Sequence, residues 1–202
     1  LYPVSKPKTP KRTTPKAKST PPALVFQLKI TLEGVRPVVW RRVQLYADHT
    51  LSQLSTVIQM AMGWEGYHLH QFFLRNPYDG ENVSETALVG DVLHEGDSFP
   101  YQYDFGDDWR HRIAVEKIVS AKKNTAYPRC TAGQRACPPE DCGGPWGYIE
   151  MMHILRNRRH RDYREWRELA GRDFQPNAFD MNDVNQEFQV NASHFARQET
   201  TG

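Results

Sequence analysis

The chain has 202 residues, enough for one hydrophobic core with added helices. Its formal net charge is +2, but residues 1–22 carry six Lys or Arg and no acid, so the rest is mildly acidic, with 20 basic and 24 acidic residues. This balance excludes nucleic-acid binding by a uniformly basic body, and such binding needs the tail or a local patch. No apolar run reaches the roughly 18 to 20 residues that cross a bilayer, so we predict no membrane span.

Residues 1–22 combine six Pro with six Lys or Arg and several Ser or Thr. This composition supplies too little apolar surface to offset the entropy lost on ordering, so we predict a disordered, basic, Pro-rich tail. The tail either contacts phosphates or serves as a solvated linker. Residues 23–202 are predicted to form a single domain.

The first half of this domain has the clearest periodicity. Alternating apolar residues predict strands over Leu24–Leu32 and Val38–Leu45, which form a hairpin. Apolar residues spaced by three and four predict a helix over Leu51–Met62, capped by Asp48 or Thr50.

The second half is predicted to add strands and then helices. A strand begins at about His68, and a hairpin follows over Phe99–Phe105 and Trp109–Val119, whereas residues 120–145 are predicted to be a loop. Three C-terminal helices are predicted over Tyr148–Leu155, Arg161–Ala170 and Val184–Phe195. The order predicts an α+β fold, a mixed β-sheet with a ββαβββ-like core and one packed helix, plus C-terminal helices.

The cysteines give one candidate site. Cys130, Cys137 and Cys142 leave at least one thiol unpaired, and no signal segment is recognisable, so we expect a cytoplasmic protein. Their C-x6-C-x4-C spacing lets a Pro-stiffened loop wrap a structural zinc ion, with His111 as the fourth ligand. Alternative fourth ligands are His68, His70 and His153. The competing interpretation is a set of buried free thiols.

The carboxylates give a second candidate site. Asp107 and Asp108 follow one predicted strand and Glu140 lies between two cysteines. Such groups can hold a divalent cation or provide a general base, which makes them catalytic candidates. The corresponding function is a zinc-dependent, hydrolase-like enzyme that uses Asp104–His111 and Cys130–Cys142. Turn formation and helix capping explain the same residues without catalysis.

An arginine cluster gives the third candidate site. Its members are Arg156, Arg158, Arg159 and Arg161. These guanidinium groups can contact phosphates, although interleaved acids such as Asp162 and Glu165 also fit a solvated, ion-paired face. Trp109 and Trp146 are predicted to line a groove that stacks bases or holds a peptide, with core packing as the alternative.

Several motifs occur in an order that resembles the plasmid pRiA4b ORF-3-like family, whose members also carry a TnpR-type, insertion-element passenger label. The motifs are Val39–Arg42, Ile58–Trp64, His68–Phe72, Tyr103–Trp109 and Cys137–Gly144. The resemblance covers roughly residues 24 to 190 and implies a compact α+β domain with no activity that carries over. Together with the arginines, it favours a plasmid- or mobile-element-associated interaction module that binds nucleic acid or a protein, over an enzyme.

Overall fold

The central strands arise from the two most regular alternating segments of the sequence. In the computed structural model, which describes residues 22–74 and 83–197, β1 (Leu24–Leu32) pairs with β2 (Trp40–Tyr46). Leu28 and Ile30 of β1 are fully buried, as alternation predicts for a strand with one face on the core. Apart from its last residue, the predicted tail lies outside the described residues.

Four more strands complete a six-stranded sheet in the order β3-β4-β5-β1-β2-β6. They are β3 (His70–Phe72), β4 (Ser98–Tyr103), β5 (Trp109–Ser120) and β6 (Arg129–Gln134). The α+β class is confirmed, but every strand pair is antiparallel where a mixed sheet was expected. The reason is that tight hairpin turns join β1 to β2 and β4 to β5, and tight turns reverse the chain.

Five helices surround the sheet. They are α1 (Leu51–Met62), α2 (Val89–Val92), α3 (Gly144–Ile154), α4 (Tyr163–Ala170) and α5 (Met181–Val190), followed by a 3₁₀ turn over Ala192–Phe195. The bounds predicted for α1 are confirmed. Thr50 and Gln53 form a reciprocal capping box at its start, and Gly63, in the left-handed conformation, ends it. None of the helices in the described residues is long and apolar enough to span a membrane.

β6 lies at one edge of the sheet, within the segment predicted to be a loop. The side-chain amide of Asn185, on α5, pairs with its outer edge: the N–H of Cys130 donates to Asn185 Oδ1 at 2.8 Å, and Asn185 Nδ2 donates to the Cys130 carbonyl at 3.0 Å. The strand escaped prediction because Arg129–Gln134 has no alternating apolar pattern. Its order comes from β2 on one side and α5 on the other.

Candidate functional site

Two segments meet at the end of the sheet where β4 turns into β5. One is the hairpin turn, residues 104–108, and the other is the cysteine loop, residues 135–143, which connects β6 to α3. Trp64 Nε1 donates to the Pro138 carbonyl at 2.9 Å, and Tyr103 Oη donates to Glu140 Oε1 at 2.5 Å. The backbone N–H of Glu65 donates to the other Glu140 oxygen at 2.8 Å. The segment after α1 therefore anchors the cysteine loop.

Glycines permit the close contact between the hairpin turn and α3. Gly144 has a φ of +67°, and a Cβ atom there would lie 2.2 Å from the Asp107 carbonyl oxygen. At Gly147, a Cβ atom would lie 1.8 Å from the Cys142 carbonyl oxygen. Both separations are far below van der Waals contact, so only glycine fits without a backbone shift.

The three catalytic candidates are each engaged in local contacts. Asp107 Oδ2 accepts from the Gly143 N–H at 3.1 Å, and Glu140 accepts from the two donors described above. Asp108 accepts from Arg110 Nε at 2.9 Å and from Gln102 Nε2 at 2.6 Å. These contacts fit the interpretation of the carboxylates as turn- and loop-stabilising groups.

His111 lies in the core rather than in the cysteine loop. It is fully buried, and its ring packs edge-on to Trp64 with the centroids 5.3 Å apart. Burial lowers the pKa of His111 to about 4, although the carbonyl groups of Tyr101 and Trp109 partly offset this effect. Two strands, β1 and β2, separate its strand from that of Cys130, a distance of about 14 Å. His111 therefore cannot share an ion with Cys130, and the predicted four-ligand zinc set is not assembled.

The three cysteines are free thiols. Burial raises the pKa of all three, in the case of Cys142 to about 12, so that the protonated form is favoured at neutral pH. In the part of the chain that the structure describes, the group of His, Cys, Asp or Glu donor atoms spaced to hold an ion consists of His68, Asp104 and Asp141. Zinc at Cys137 and Cys142 without His111 stays a prediction.

The arginines lie elsewhere, beyond the C-terminal end of α3. Arg156, Arg158, Arg159 and Arg161 are all exposed. Arg161 pairs with Asp162 at 3.1 Å, whereas the other three form no ion pair with a described residue. Arg156 also lines a cavity of about 490 Å³ that we call the arginine pocket. The other arginines of this pocket are Arg36, Arg135 and Arg167.

The two predicted groove tryptophans have opposite environments. Trp109 has no exposed surface and lies against Trp64 with ring centroids 5.8 Å apart, so it is a core residue and the prediction of a groove position is wrong. Trp146 is 84% exposed on α3. At 100° per residue it projects about 180° away from Leu155, which lines the arginine pocket. The two tryptophans therefore do not form one surface.

The motifs that meet at the hairpin turn also identify relatives. The profile of the plasmid pRiA4b ORF-3-like protein family matches residues 24–183. The chain belongs to this family. The uncharacterized protein y4hQ of Sinorhizobium fredii (strain NBRC 101917 / NGR234) is 36% identical over 189 residues, which cover 87% of this chain and 96% of that protein. A solved relative is the crystal structure of a protein of unknown function, MM3350 from Methanosarcina mazei Go1. It has 38% identity and a TM-score of 0.74, and the match covers 80% of this chain and 98% of that one.

Neither relative's name gives an activity to this family, so function has to be argued from the site residues. Sequence reasoning missed Arg36, Arg135 and Arg167 as members of one pocket because they are far apart along the chain. It also missed the grouping of Asp104 with Asp141, although both belong to quoted motifs. The signal available was the co-occurrence of the motifs, which says that their residues matter but not which of them touch.

Proposed function

We propose that this chain binds single-stranded nucleic acid through the arginine pocket. The observation that carries the proposal is the lining of this cavity: four guanidinium groups and no Asp or Glu among the described residues. A concave surface with one sign of charge concentrates field lines and attracts ligands of the opposite charge. Phosphate groups match the planar, forked donors of arginine.

The pocket arginines are positioned without being neutralised. Arg167 Nη1 donates to the Phe174 carbonyl at 3.2 Å, and Arg135 donates to the side-chain oxygen of Asn177. Both acceptors are neutral, and none of the four arginines pairs with a carboxylate in the described residues. The guanidinium groups therefore keep their charge and part of their hydrogen-bonding capacity for a ligand.

The rest of the lining suits a nucleobase. It is contributed by Pro37, Tyr148, Met152, Leu155, Phe174 and Pro176, with Asn177 as a polar group. A second hollow of about 380 Å³ shares Arg167 and Phe174 with the first and adds Arg158 and Arg172. Charged groups that follow an apolar, partly aromatic floor are typical of surfaces that track a single strand.

A binding role fits the carboxylates better than hydrolysis does. A hydrolytic site needs carboxylates that reach a substrate or an ion, whereas Asp108 is ion-paired with Arg110 and Glu140 is held by Tyr103 and Glu65. This leaves the zinc-dependent hydrolase as the weaker hypothesis.

The test is a fluorescence anisotropy titration of a labelled single-stranded oligonucleotide with the full chain at several salt concentrations. The variant is Arg36→Gln with Arg156→Gln, because both side chains are exposed and unpaired in the described structure. We expect affinity to fall at least about tenfold, and the slope of log affinity against log salt to decrease by about 2, one for each lost phosphate contact.

The matched control is Arg110→Gln with Arg112→Gln, which removes the same charge from exposed, ion-paired arginines of β5. This control should bind nearly as tightly as the parent chain. Equal losses in the two double variants, or no loss in either, would contradict the proposal and assign any binding to net charge or to residues 1–22.

A protein partner is a second candidate function, and the exposed Trp146 is the observation that favours it. Ile149, half exposed, lies three residues further along α3 and shares its face. In the same titration, Trp146→Ala should leave nucleic-acid affinity unchanged if this face serves a protein. A loss of affinity would instead assign Trp146 to base stacking.

A further inference from the structure

Three donor groups from separate segments meet beside the end of β4. We propose that His68, Asp104 and Asp141 bind one divalent transition-metal ion. His68 Nε2 lies 3.2 Å from Asp141 Oδ1 and 3.7 Å from Asp104 Oδ2, and one donor atom from each residue lies within 4.8 Å of the other two. Ligands about 2.1 Å from a shared ion are about 3 to 3.4 Å apart. Small side-chain movements bring these atoms to coordination distance.

The carboxylate of Asp104 is held with one oxygen directed at the other two groups. Its Oδ1 accepts from the N–H of Gly106 at 2.8 Å and of Asp107 at 3.3 Å. Its Oδ2 accepts no hydrogen bond from a described residue, although the side chain is only 10% exposed. A buried carboxylate oxygen without a donor is unfavourable unless a cation faces it. The proposed ion supplies that cation.

The local charge points the same way. Two carboxylates face one imidazole, and among the described residues neither Asp104 nor Asp141 pairs with Lys or Arg. Even a protonated His68 supplies one positive charge against two negative ones. A divalent ion balances both carboxylates and leaves His68 neutral, the form of imidazole that binds metals.

The donor set narrows the choice of ion. One imidazole nitrogen with two carboxylate oxygens suits Mn²⁺, Fe²⁺ or Zn²⁺, whereas Ca²⁺ and Mg²⁺ prefer oxygen donors throughout. Three protein ligands leave positions for water or an exchangeable ligand. Asp141 is 70% exposed, and His68 lines a hollow of about 360 Å³ with His70 and Glu85, so the open positions face solvent.

The segments that carry the ligands are tied together independently of any ion. The N–H of Asp104 donates to the Leu69 carbonyl at 2.9 Å, which fixes the hairpin turn against the segment that bears His68. The cysteine loop is fixed by Tyr103 and Trp64. The donors are therefore pre-organised on anchored segments, as a selective metal site requires.

The experiment is calorimetric titration of the EDTA-treated full chain with Mn²⁺ alone. Mn²⁺ is chosen because it favours oxygen and nitrogen donors over thiolates, which separates this site from the cysteines. We expect one Mn²⁺ per chain. Asp104→Asn should weaken binding at least tenfold while its Oδ1 still accepts from the turn N–H groups, and asparagine tolerates the φ of +57° at this position. Asp141→Asn, at an exposed position, should weaken binding similarly without a risk to folding.

The matched control is His94→Ala. His94 faces Asp97 at 3.5 Å in another His–Asp pair, but without a second carboxylate in the group. This variant and the double variant Cys137→Ser with Cys142→Ser should bind Mn²⁺ like the parent chain. Absence of Mn²⁺ binding at millimolar concentration, or binding that survives both Asp104→Asn and Asp141→Asn, overturns the proposal.

Discussion

The two ends of α3 handle charge in opposite ways. At its start, Asp107, Asp108 and Glu140 all accept hydrogen bonds from nearby protein groups, and most of their capacity is used inside the molecule. At its end, the four arginines of the arginine pocket have only neutral partners or none in the described residues. A charged cluster with internal partners serves the fold, whereas one without them is free to serve a ligand. Substitutions should therefore reduce stability at the first end and binding at the second.

The largest expected effect is at Gly144, where the hairpin turn touches α3. Gly144→Ala places a Cβ atom against the Asp107 carbonyl and forces alanine into a positive φ, so we expect the free energy of unfolding to fall by about 3 kcal/mol. Urea denaturation measures this loss. Gly63→Ala is the control: its φ is +85° with nothing within 4 Å, and it should cost only about 1 kcal/mol. Equal losses would mean that the close contact does not matter.

The second effect concerns pH and the buried His111. Its folded pKa of about 4 lies below the unfolded value of about 6.5, so the unfolded chain takes up the proton first as the pH falls. The contribution to stability is complete above about pH 6.5 and is lost as the pH falls towards 4. Between about pH 7 and pH 5, this group should lower the free energy of unfolding by about 2 kcal/mol.

The measurement compares urea denaturation of the parent chain and His111→Gln at both pH values. Burial also lowers the pKa of His49, so both proteins should retain a shared pH dependence. The difference between them isolates His111. Parallel pH profiles for the two proteins would show that His111 does not titrate in this range.

The third effect is at the hydrogen bond between Tyr103 and Glu140. Tyr103→Phe removes the 2.5 Å bond to a carboxylate, and bonds to charged groups contribute about 1.5 to 3 kcal/mol. Glu140 keeps the Glu65 N–H and some solvent access, so we expect a loss of about 1.5 kcal/mol on urea denaturation. Tyr67→Phe, at a ring that is 79% exposed, should leave the midpoint unchanged. A neutral Tyr103→Phe would show that the cysteine loop is held by its other contacts.

The smallest effect is expected at Arg156, at the basic end. Because this side chain is exposed and has no ion pair in the described structure, Arg156→Ala should change the free energy of unfolding by less than about 0.5 kcal/mol. The same variant should weaken oligonucleotide binding measurably. A stability loss above 1 kcal/mol would indicate that the arginine pocket is structural, and the contrast between the two ends would disappear.

Local patterns predicted the elements that are specified locally. The bounds of α1 follow from its apolar face together with Thr50 and Gly63, and the hairpin of β1 and β2 follows from alternation. β6 could not be predicted in the same way, because its partners are β2 and Asn185, which are distant along the chain.

The candidate site divides along the same line. The motifs around Asp104 and Asp141 were recognised, but their convergence on His68 depends on three loops that only the folded sheet brings together. His111 was assigned to a metal because its burial is invisible in the sequence. Arg156 was recognised within a run of arginines, whereas Arg36, alone in its turn, carried no signal for the shared pocket.

The amide of Asn185 bears on how molecules of this protein behave when crowded. An edge strand such as β6 exposes unpaired backbone groups that can recruit a strand from a second molecule and begin aggregation. Asn185 presents one acceptor and one donor to Cys130, as a neighbouring strand would, and so occupies that position. A single side chain thus stops the sheet from growing at Cys130 without the expense of a seventh strand.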